Sequence, residues 1–420
     1  MTDPIDSKDA VHTPVCRFCS HTLNSTFVDL GMSPLCQTHI TVEQLSQPET
    51  FYPLHAYVCD HCFLVQLEEF VTPGEIFTEY AYFSSFSDSW VAHARRYCED
   101  MRARFSLGPG SRVVELASND GYLLQHFLAM AIPVLGVEPA ANVAAAAREK
   151  GIPSVTEFFG RQTAARLKAE HGPADLLLGN NVLAHVPDLN DFVAGMRVLL
   201  AADGVITMEF PHLEQLMAHN QFDTIYHEHF SYFSFITVEQ VFAAHGLVLF
   251  DVEELPTHGG SLRIYARHAE DDSRPVGPRV ATLRARERDA GFTTLAKYAE
   301  FEERVKATKR NILEFLIEAK RAGKTVAGYG APGKGNTLLN YCGIRGDFLD
   351  FTVDRNPYKQ GKFTPGARIP ILAPEAIAER RPDYLFVLPW NLVDEISAQC
   401  DYIRAWGGRF VVPIPAVRVL

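Results

Sequence analysis

The chain has 420 residues, 47% hydrophobic and 21% charged, with 28 Gly and 25 Pro, a composition that excludes a disordered, fibrous or repetitive protein. At roughly 150 residues per domain this length predicts two to four folded units. Fifty-one acidic against 39 basic residues leave a formal net charge of −12, which excludes a general electrostatic attraction to nucleic acid or anionic membranes.

In chain order, the N-terminal run MTDPIDSKDAVHTP is polar and acidic. It lacks the basic start and apolar core of a secretory signal, and no later window offers the ~18 apolar residues of a membrane span. A soluble cytoplasmic protein is expected, with a disordered tail over residues 1 to about 13. From Cys16 to about Phe77 the segment is short and turn-rich and holds five of the eight cysteines, too little apolar mass to fold unaided. Cys16-Arg-Phe-Cys19 and Cys59-Asp-His-Cys62 form two C-x-x-C pairs. Each sets two thiolates on one side of a tight turn, and two such turns complete the tetrahedral S₄ shell of a structural Zn²⁺. Such a shell has no open position and serves folding. Cys36, His21 and His61 stand nearby as substitute ligands, while Cys98, Cys342 and Cys400 are expected to be plain buried thiols.

Residues 80 to 105 read as a helix. GPGS at 108 to 111 then announces a strand, and apolar strands alternate with amphipathic helices: VVEL, GYLLQHFLAM, PVLGVE, AANVAAAAREKG, ADLLLGN, DFVAGMRVLL, GVITMEF. That rhythm predicts an α/β fold with an open parallel sheet. The charged, Pro- and Gly-bearing run from about 266 to 293 reads as a connection between domains rather than a core element. A long amphipathic helix, about 295 to 322, leads into a second α/β series: KTVAGYGA, GNTLLNYCG, FLDFTVD, PEAIAER, DYLFVLPW, LVDEISAQC, GRFVVPIP. The expected domains are 14–78, 79–268 and 294–420.

The loop Val113-Val-Glu115-Leu-Ala117-Ser-Asn119-Asp-Gly121 leaves the first strand of the central series. About twenty residues on, GVEP ends the second strand with Glu138, where a carboxylate can accept both ribose hydroxyls. The pair suggests an adenosyl ligand against a plain turn with a surface Glu. A nicotinamide dinucleotide would need glycines where Ala117 and Asn119 stand, to admit a pyrophosphate; S-adenosylmethionine carries none. Asn180 and His185, in NNVLAHVPD, follow the fourth strand at the same sheet edge, though a lone His there is commonly a structural donor. The densest cluster is Tyr226-His227-Glu228-His229-Phe230. It joins a neutral-pH base, a carboxylate and a phenol, the set that proton abstraction beside a carbonyl requires. A metal site and a solvated polar turn are the competing readings, and a helix here would put Tyr226 and His229 on one face. Gly328-Tyr-Gly-Ala-Pro-Gly-Lys334-Gly335 is either a phosphate cradle or a tight turn. Arg355, Lys359 and Lys362 add positive charge downstream.

Together the double C-x-x-C module, ELASNDGYLL, GVEP, the His185 loop, YHEHFSYFS, GYGAPGKGNTLLNY and DRNPYKQGKFTPG resemble the S-adenosylmethionine-dependent sugar C-methyltransferases. These act on nucleotide-linked 4-keto-deoxysugars, the tetronitrose C-3′-methyltransferases among them. The likeness runs from Cys16 to the C-terminus. It implies that His229 is the general base, with Glu228 and Tyr226 as active-site companions and Tyr80 and His185 as the remaining pair. It also implies a zinc module contributing to the site, S-adenosylmethionine at Glu115, Ala117, Asn119, Gly121, Glu138 and Asn180, and a C-terminal Rossmann-like unit holding a dTDP- or other nucleotide-linked sugar through Lys334, Arg355 and Lys359. The expected enzyme works as a monomer, without nucleic acid, membrane or catalytic metal. The reaction it implies runs through an enolate, so the base must be paired with donors for the ketone oxygen. A zinc-ribbon methyltransferase acting on RNA is disfavoured by the acidic balance, and a non-catalytic nucleotide-binding protein stays open.

Overall fold

A computed structural model describes residues 13–72, 74–75 and 83–420, arranged around three sheets. The N-terminal sheet has four antiparallel strands, Ser25–Ser33, Tyr52–Val58, Val65–Leu67 and Ser231–Tyr232. The last comes from the middle of the chain and pairs Val65 with Tyr232 and Gln66 with Ser231. The module therefore does not close on its own residues, as its thin composition predicts.

The central sheet has seven strands. Ser154–Val155, Val134–Val137, Val113–Leu116, Ala174–Asn180 and Leu200–Pro211 run parallel in that spatial order. Val113–Leu116 and Val134–Val137 are buried throughout, as strands covered on both faces must be. The hairpin Leu247–Leu255 and Ser261–His268 then adds two strands, Ser261–His268 pairing antiparallel with Leu200–Pro211. Sequence rhythm did not separate this hairpin from the run after GVITMEF, and the parallel expectation fails at this edge.

The helix expected from residue 80 spans Asp88–Phe105, its first turn capped by the Ser87 hydroxyl. The expected connection at 266 to 293 is instead the end of a strand followed by a helix, Pro278–Asp289, whose Glu287 is fully buried. Its charges misled because Arg279, Arg284 and Arg286 pair with carboxylates on other elements. The next helix is broken at Glu300 into Leu295–Ala299 and Phe301–Arg321, the latter burying Val305, Thr308, Ile312 and Leu316 on one face, the spacing of an amphipathic stripe.

The C-terminal sheet has six strands, of which Ile371–Leu372, Thr352–Val353, Val326–Tyr329, Tyr384–Val387 and Arg409–Val412 are parallel and Arg418–Val419 antiparallel. One apolar core joins Phe27, Leu54 and Val65 of the N-terminal sheet to Phe301, Leu338 and Phe386 of this unit. A second joins Cys16, Cys59 and Leu64 to the central sheet. The N-terminal sheet is thus wedged between the two α/β units.

Candidate active site

The Sγ atoms of Cys16, Cys19, Cys59 and Cys62 all lie within 4.8 Å of one another. Three of the separations are 3.6 Å, close to the edge of about 3.8 Å that four Zn–S bonds of ~2.3 Å require. Ser20 and Phe63 take left-handed φ of 60° and 61°, and their N–H groups bond the Cys16 and Cys59 carbonyls at 2.8 and 3.0 Å, closing the two turns. Gln66 Nε2 reaches Cys16 Sγ at 3.2 Å. The donor set and spacing fit tetrahedral zinc. His21 and His61 stack on each other outside the cluster, and Cys36 lies elsewhere. Cys98, Cys342 and Cys400 are buried free thiols, as expected.

All three units converge on residues 222–230. Trp390 Nε1 donates to Asp223 Oδ2 at 2.7 Å and Thr337 Oγ1 to the Ile225 carbonyl at 2.9 Å, both from the C-terminal unit. His227 Nε2 meets the Pro53 carbonyl at 3.1 Å and the Cys36 thiol donates to Glu228 Oε1 at 3.3 Å, both from the N-terminal module. Phe230 N bonds the Ala184 carbonyl at 2.7 Å, in the His185 loop of the central unit. The YHEH run is a β-turn rather than a helix, His229 N bonding the Tyr226 carbonyl at 2.8 Å. The turn still brings the Tyr226 and His229 rings to 4.0 Å, and His185 packs edge-on to His229 at 4.6 Å.

His229 Nδ1 lies 2.9 Å from the Thr224 carbonyl. A carbonyl only accepts, so Nδ1 carries the ring proton and Nε2 keeps its lone pair. Burial, reinforced by His185, holds the imidazole well below its usual range, although the Thr224 bond works the other way. Burial likewise pulls His185 to about 4, against its bond to the Glu228 carbonyl. Both rings are neutral near pH 7. Tyr80 falls outside the described residues.

These residues line a cavity of about 720 Å³ whose opposite wall is the edge of the central sheet. Ala117 and Asn119 both take left-handed backbone, φ 55° and 49°, and Asn119 N and Ala140 N bond the two oxygens of Glu138 at 2.9 and 2.8 Å. One carboxylate therefore clasps both loops while facing the cavity. Gly121, at φ 75°, lies off the wall; a Cβ there would fall 2.2 Å from Ile152 Cδ1. Glu115 is buried beneath the loop, and burial with the Glu138 and Asp120 charges pushes its carboxyl well up. Asn180 lines the cavity, and its Nδ2 is buried with no partner among the described residues. An orphan donor and a carboxylate lining one cavity fit the polar groups of an adenosyl ligand.

On the C-terminal side the helix Gly333–Cys342 begins at the cavity, with Lys334 and Lys359 on its wall. Gly333 packs closely there: a Cβ would come within 3.0 Å of Cys36 Sγ and 3.6 Å of the Tyr226 ring. Lys334 lies over the Trp390 ring at 4.6 Å and donates to Asn391 Oδ1 at 2.8 Å; Lys359 donates to the Ala331 carbonyl at 2.9 Å. Arg355 is exposed and stands off the wall. Trp90, Thr224 and His258 also line the cavity and carried no signal in the sequence, since each belongs to a segment without a motif.

A family model described as a zinc binding domain matches residues 16–77, one described as a methyltransferase domain matches 90–252, and one described as a C-methyltransferase C-terminal domain matches 256–415. The chain is 38% identical over 405 residues to the C-methyltransferase NovU of Streptomyces niveus, covering 96% of each. Among solved structures it is similar to an S-adenosylmethionine-dependent methyltransferase of Anabaena variabilis, at 16% identity, 41% of this chain, 84% of that one and a TM-score of 0.34. Another is the magnesium protoporphyrin IX methyltransferase of Synechocystis, at 14% identity, 42% and 82% coverage and a TM-score of 0.34.

Proposed function

The chain belongs to the S-adenosylmethionine-dependent C-methyltransferase family, and we propose that its acceptor is a nucleotide-linked 4-keto-deoxysugar, methylated at C3, the carbon beside the ketone. The observation that carries this reading is the bond between His229 Nδ1 and the Thr224 carbonyl. It uses the ring's only proton and leaves Nε2 as a bare nitrogen on a side chain lining the cavity, the form a general base needs. An oxygen or nitrogen acceptor carries its own lone pair; a carbon must first be deprotonated, and only beside a carbonyl is that proton acidic.

When bound, S-adenosylmethionine supplies an electrophilic methyl group. Glu138, Asn119 and Asn180 would hold it, Glu138 accepting from ribose hydroxyls. His229 Nε2 takes the proton from the acceptor carbon, the C–H pair becomes the C=C bond of an enolate, and the carbonyl pair moves to oxygen. That enolate carbon would take the methyl group as the ketone returns, the S–CH₃ pair staying on the departing sulfur. Tyr226, and Tyr80 by resemblance, are donors for the oxygen, with Glu228 as their companion. Lys334, Lys359 and the amide end of the Gly333–Cys342 helix suit a diphosphate, with Arg355 at the outer approach. The zinc shell, closed by four cysteines, serves the fold. Keto-deoxysugar nucleotides supplied with labelled methyl donor should give a product carrying the label on carbon, read by mass spectrometry. Label on oxygen or nitrogen, or deuterium retained at the reacting carbon, would overturn the reading.

A further inference from the structure

His258 sits at the tip of the hairpin that the sequence concealed. Its backbone is left-handed, φ 54° and ψ 21°, beside two glycines that would take that conformation at no cost. A histidine at such a position carries backbone strain of the kind that clusters at functional sites. The tip is tightly fastened. Thr257 Oγ1 donates to Glu209 Oε1 at 2.9 Å, Ser261 Oγ to the Thr257 carbonyl at 2.9 Å and Gln221 Nε2 to the Gly259 carbonyl at 2.7 Å. Behind it, Glu209 is held by Arg263 at 2.8 Å and His93 at 3.0 Å. The His258 ring lies edge-on to Trp90 at 5.0 Å and lines the cavity.

In the assigned orientation of its amide, Asn181 Nδ2 donates to His258 Nε2 at 2.8 Å. The ring proton is then on Nδ1, which has no hydrogen-bond partner among the described residues. The tautomer is the reverse of that at His229. Burial, with the nearby Lys334 charge, holds His258 at about 4, so the ring is a neutral donor at pH 7. His258, His229 and Lys334 all line the same cavity.

We propose that His258 is a further catalytic residue: its Nδ1–H donates to the acceptor's ketone oxygen as that oxygen gains charge. The assignment rests on the keto-sugar reading above. As His229 Nε2 accepts the proton, the C–H pair forms the C=C bond and the carbonyl π pair collects on oxygen, where the His258 Nδ1–H meets it; the pair returns to the carbonyl as the new C–C bond forms and the former S–CH₃ pair stays on the departing sulfur. Neutral donors aimed at a developing oxyanion are a major source of rate.

The experiment uses the full zinc-loaded chain with S-adenosylhomocysteine in the cofactor site, and follows deuterium wash-in at the carbon beside the ketone of a dTDP-linked 4-keto-6-deoxyhexose by mass spectrometry. His258→Ala should slow exchange and kcat by about 10²–10³-fold with KM for the sugar nucleotide little changed. His258→Asn, which tolerates the left-handed turn and keeps an amide donor, should retain more of both rates. Exchange at the wild-type rate in both variants, or a loss confined to KM, overturns the assignment; the KM-only result would place His258 at the diphosphate. If His258→Ala no longer binds S-adenosylhomocysteine, His258→Asn decides alone, and an unchanged rate there overturns it. A wild-type enzyme that methylates carbon without any exchange would instead remove the enolate reading itself.

Discussion

Single side chains in this site are set by what their other atoms touch. His229 is the proposed base because the Thr224 carbonyl occupies its Nδ1, and replacing it with alanine should lower methyl transfer by about 10²–10⁴-fold with S-adenosylmethionine affinity unchanged by calorimetry. Its imidazole is lowered by burial and by His185, so it stays unprotonated as pH falls through the ordinary histidine value of 6.5. The kcat/KM profile should therefore remain flat through pH 6.5 and decline only below it; a midpoint at or above 6.5 would contradict the burial account. Glu138, proposed to hold the ribose, already accepts a loop amide on each oxygen. Losing a charged acceptor costs ~1.5–3 kcal/mol, so Glu138→Ala should weaken S-adenosylmethionine binding by roughly tenfold or more, and unchanged affinity would remove its ribose role. YHEH and GVEP pointed to these residues as candidates, and the structure sets both on one cavity. The tautomer of His229 was not legible, because its partner is a backbone carbonyl that a turn brings into range.

At the level of elements, the helix Pro278–Asp289 shows how charge density can hide a buried member. Glu287 Oε1 accepts from His212 Nε2 and Phe235 N at 2.7 Å each, and Oε2 from Ile236 N at 2.8 Å. It thereby caps the helix Phe235–Ala244 from outside that helix. Each buried donor left unpaired costs ~1–3 kcal/mol, so Glu287→Ala should destabilise this region by about 3–5 kcal/mol. Early loss of hydrogen-exchange protection over 235–244 would register it, and wild-type protection would refute it. The same run of sequence reads as a linker because Arg279, Arg284 and Arg286 are charged, yet their partners Asp251, Glu239 and Glu254 lie on other elements. Periodicity within a segment carries no record of such partners.

Across the whole molecule, the zinc module, the central unit and the C-terminal unit meet at one loop. The Val65–Leu67 strand, next in sequence to the Cys59 and Cys62 turn, pairs with Ser231–Tyr232, just beyond His229. Arg17, inside the first C-x-x-C pair, donates to the Pro187 carbonyl of the His185 loop at 2.9 Å. The zinc turns thus bear on the YHEH turn and the His185 loop through two short chains of contact. Removing it with a chelator should lower the thermal midpoint and methyl transfer together, both restored by added Zn²⁺, because a Cys₄ shell contributes folding energy outright. Loss of zinc with full activity would show that the module is dispensable to the site.

What the amino-acid order determined unaided is what short-range chemistry encodes: the paired C-x-x-C turns, the strand-to-helix alternation of two α/β units, the carboxylate following the GVEP strand and the histidine-rich YHEH run. Contacts between remote residues decided the rest. Ser231–Tyr232 completing a sheet begun at Ser25, Glu287 inside the core, and His258 at the cavity wall while Arg355 stands outside it all arise from packing, where a residue's surroundings come from elements far away in the chain.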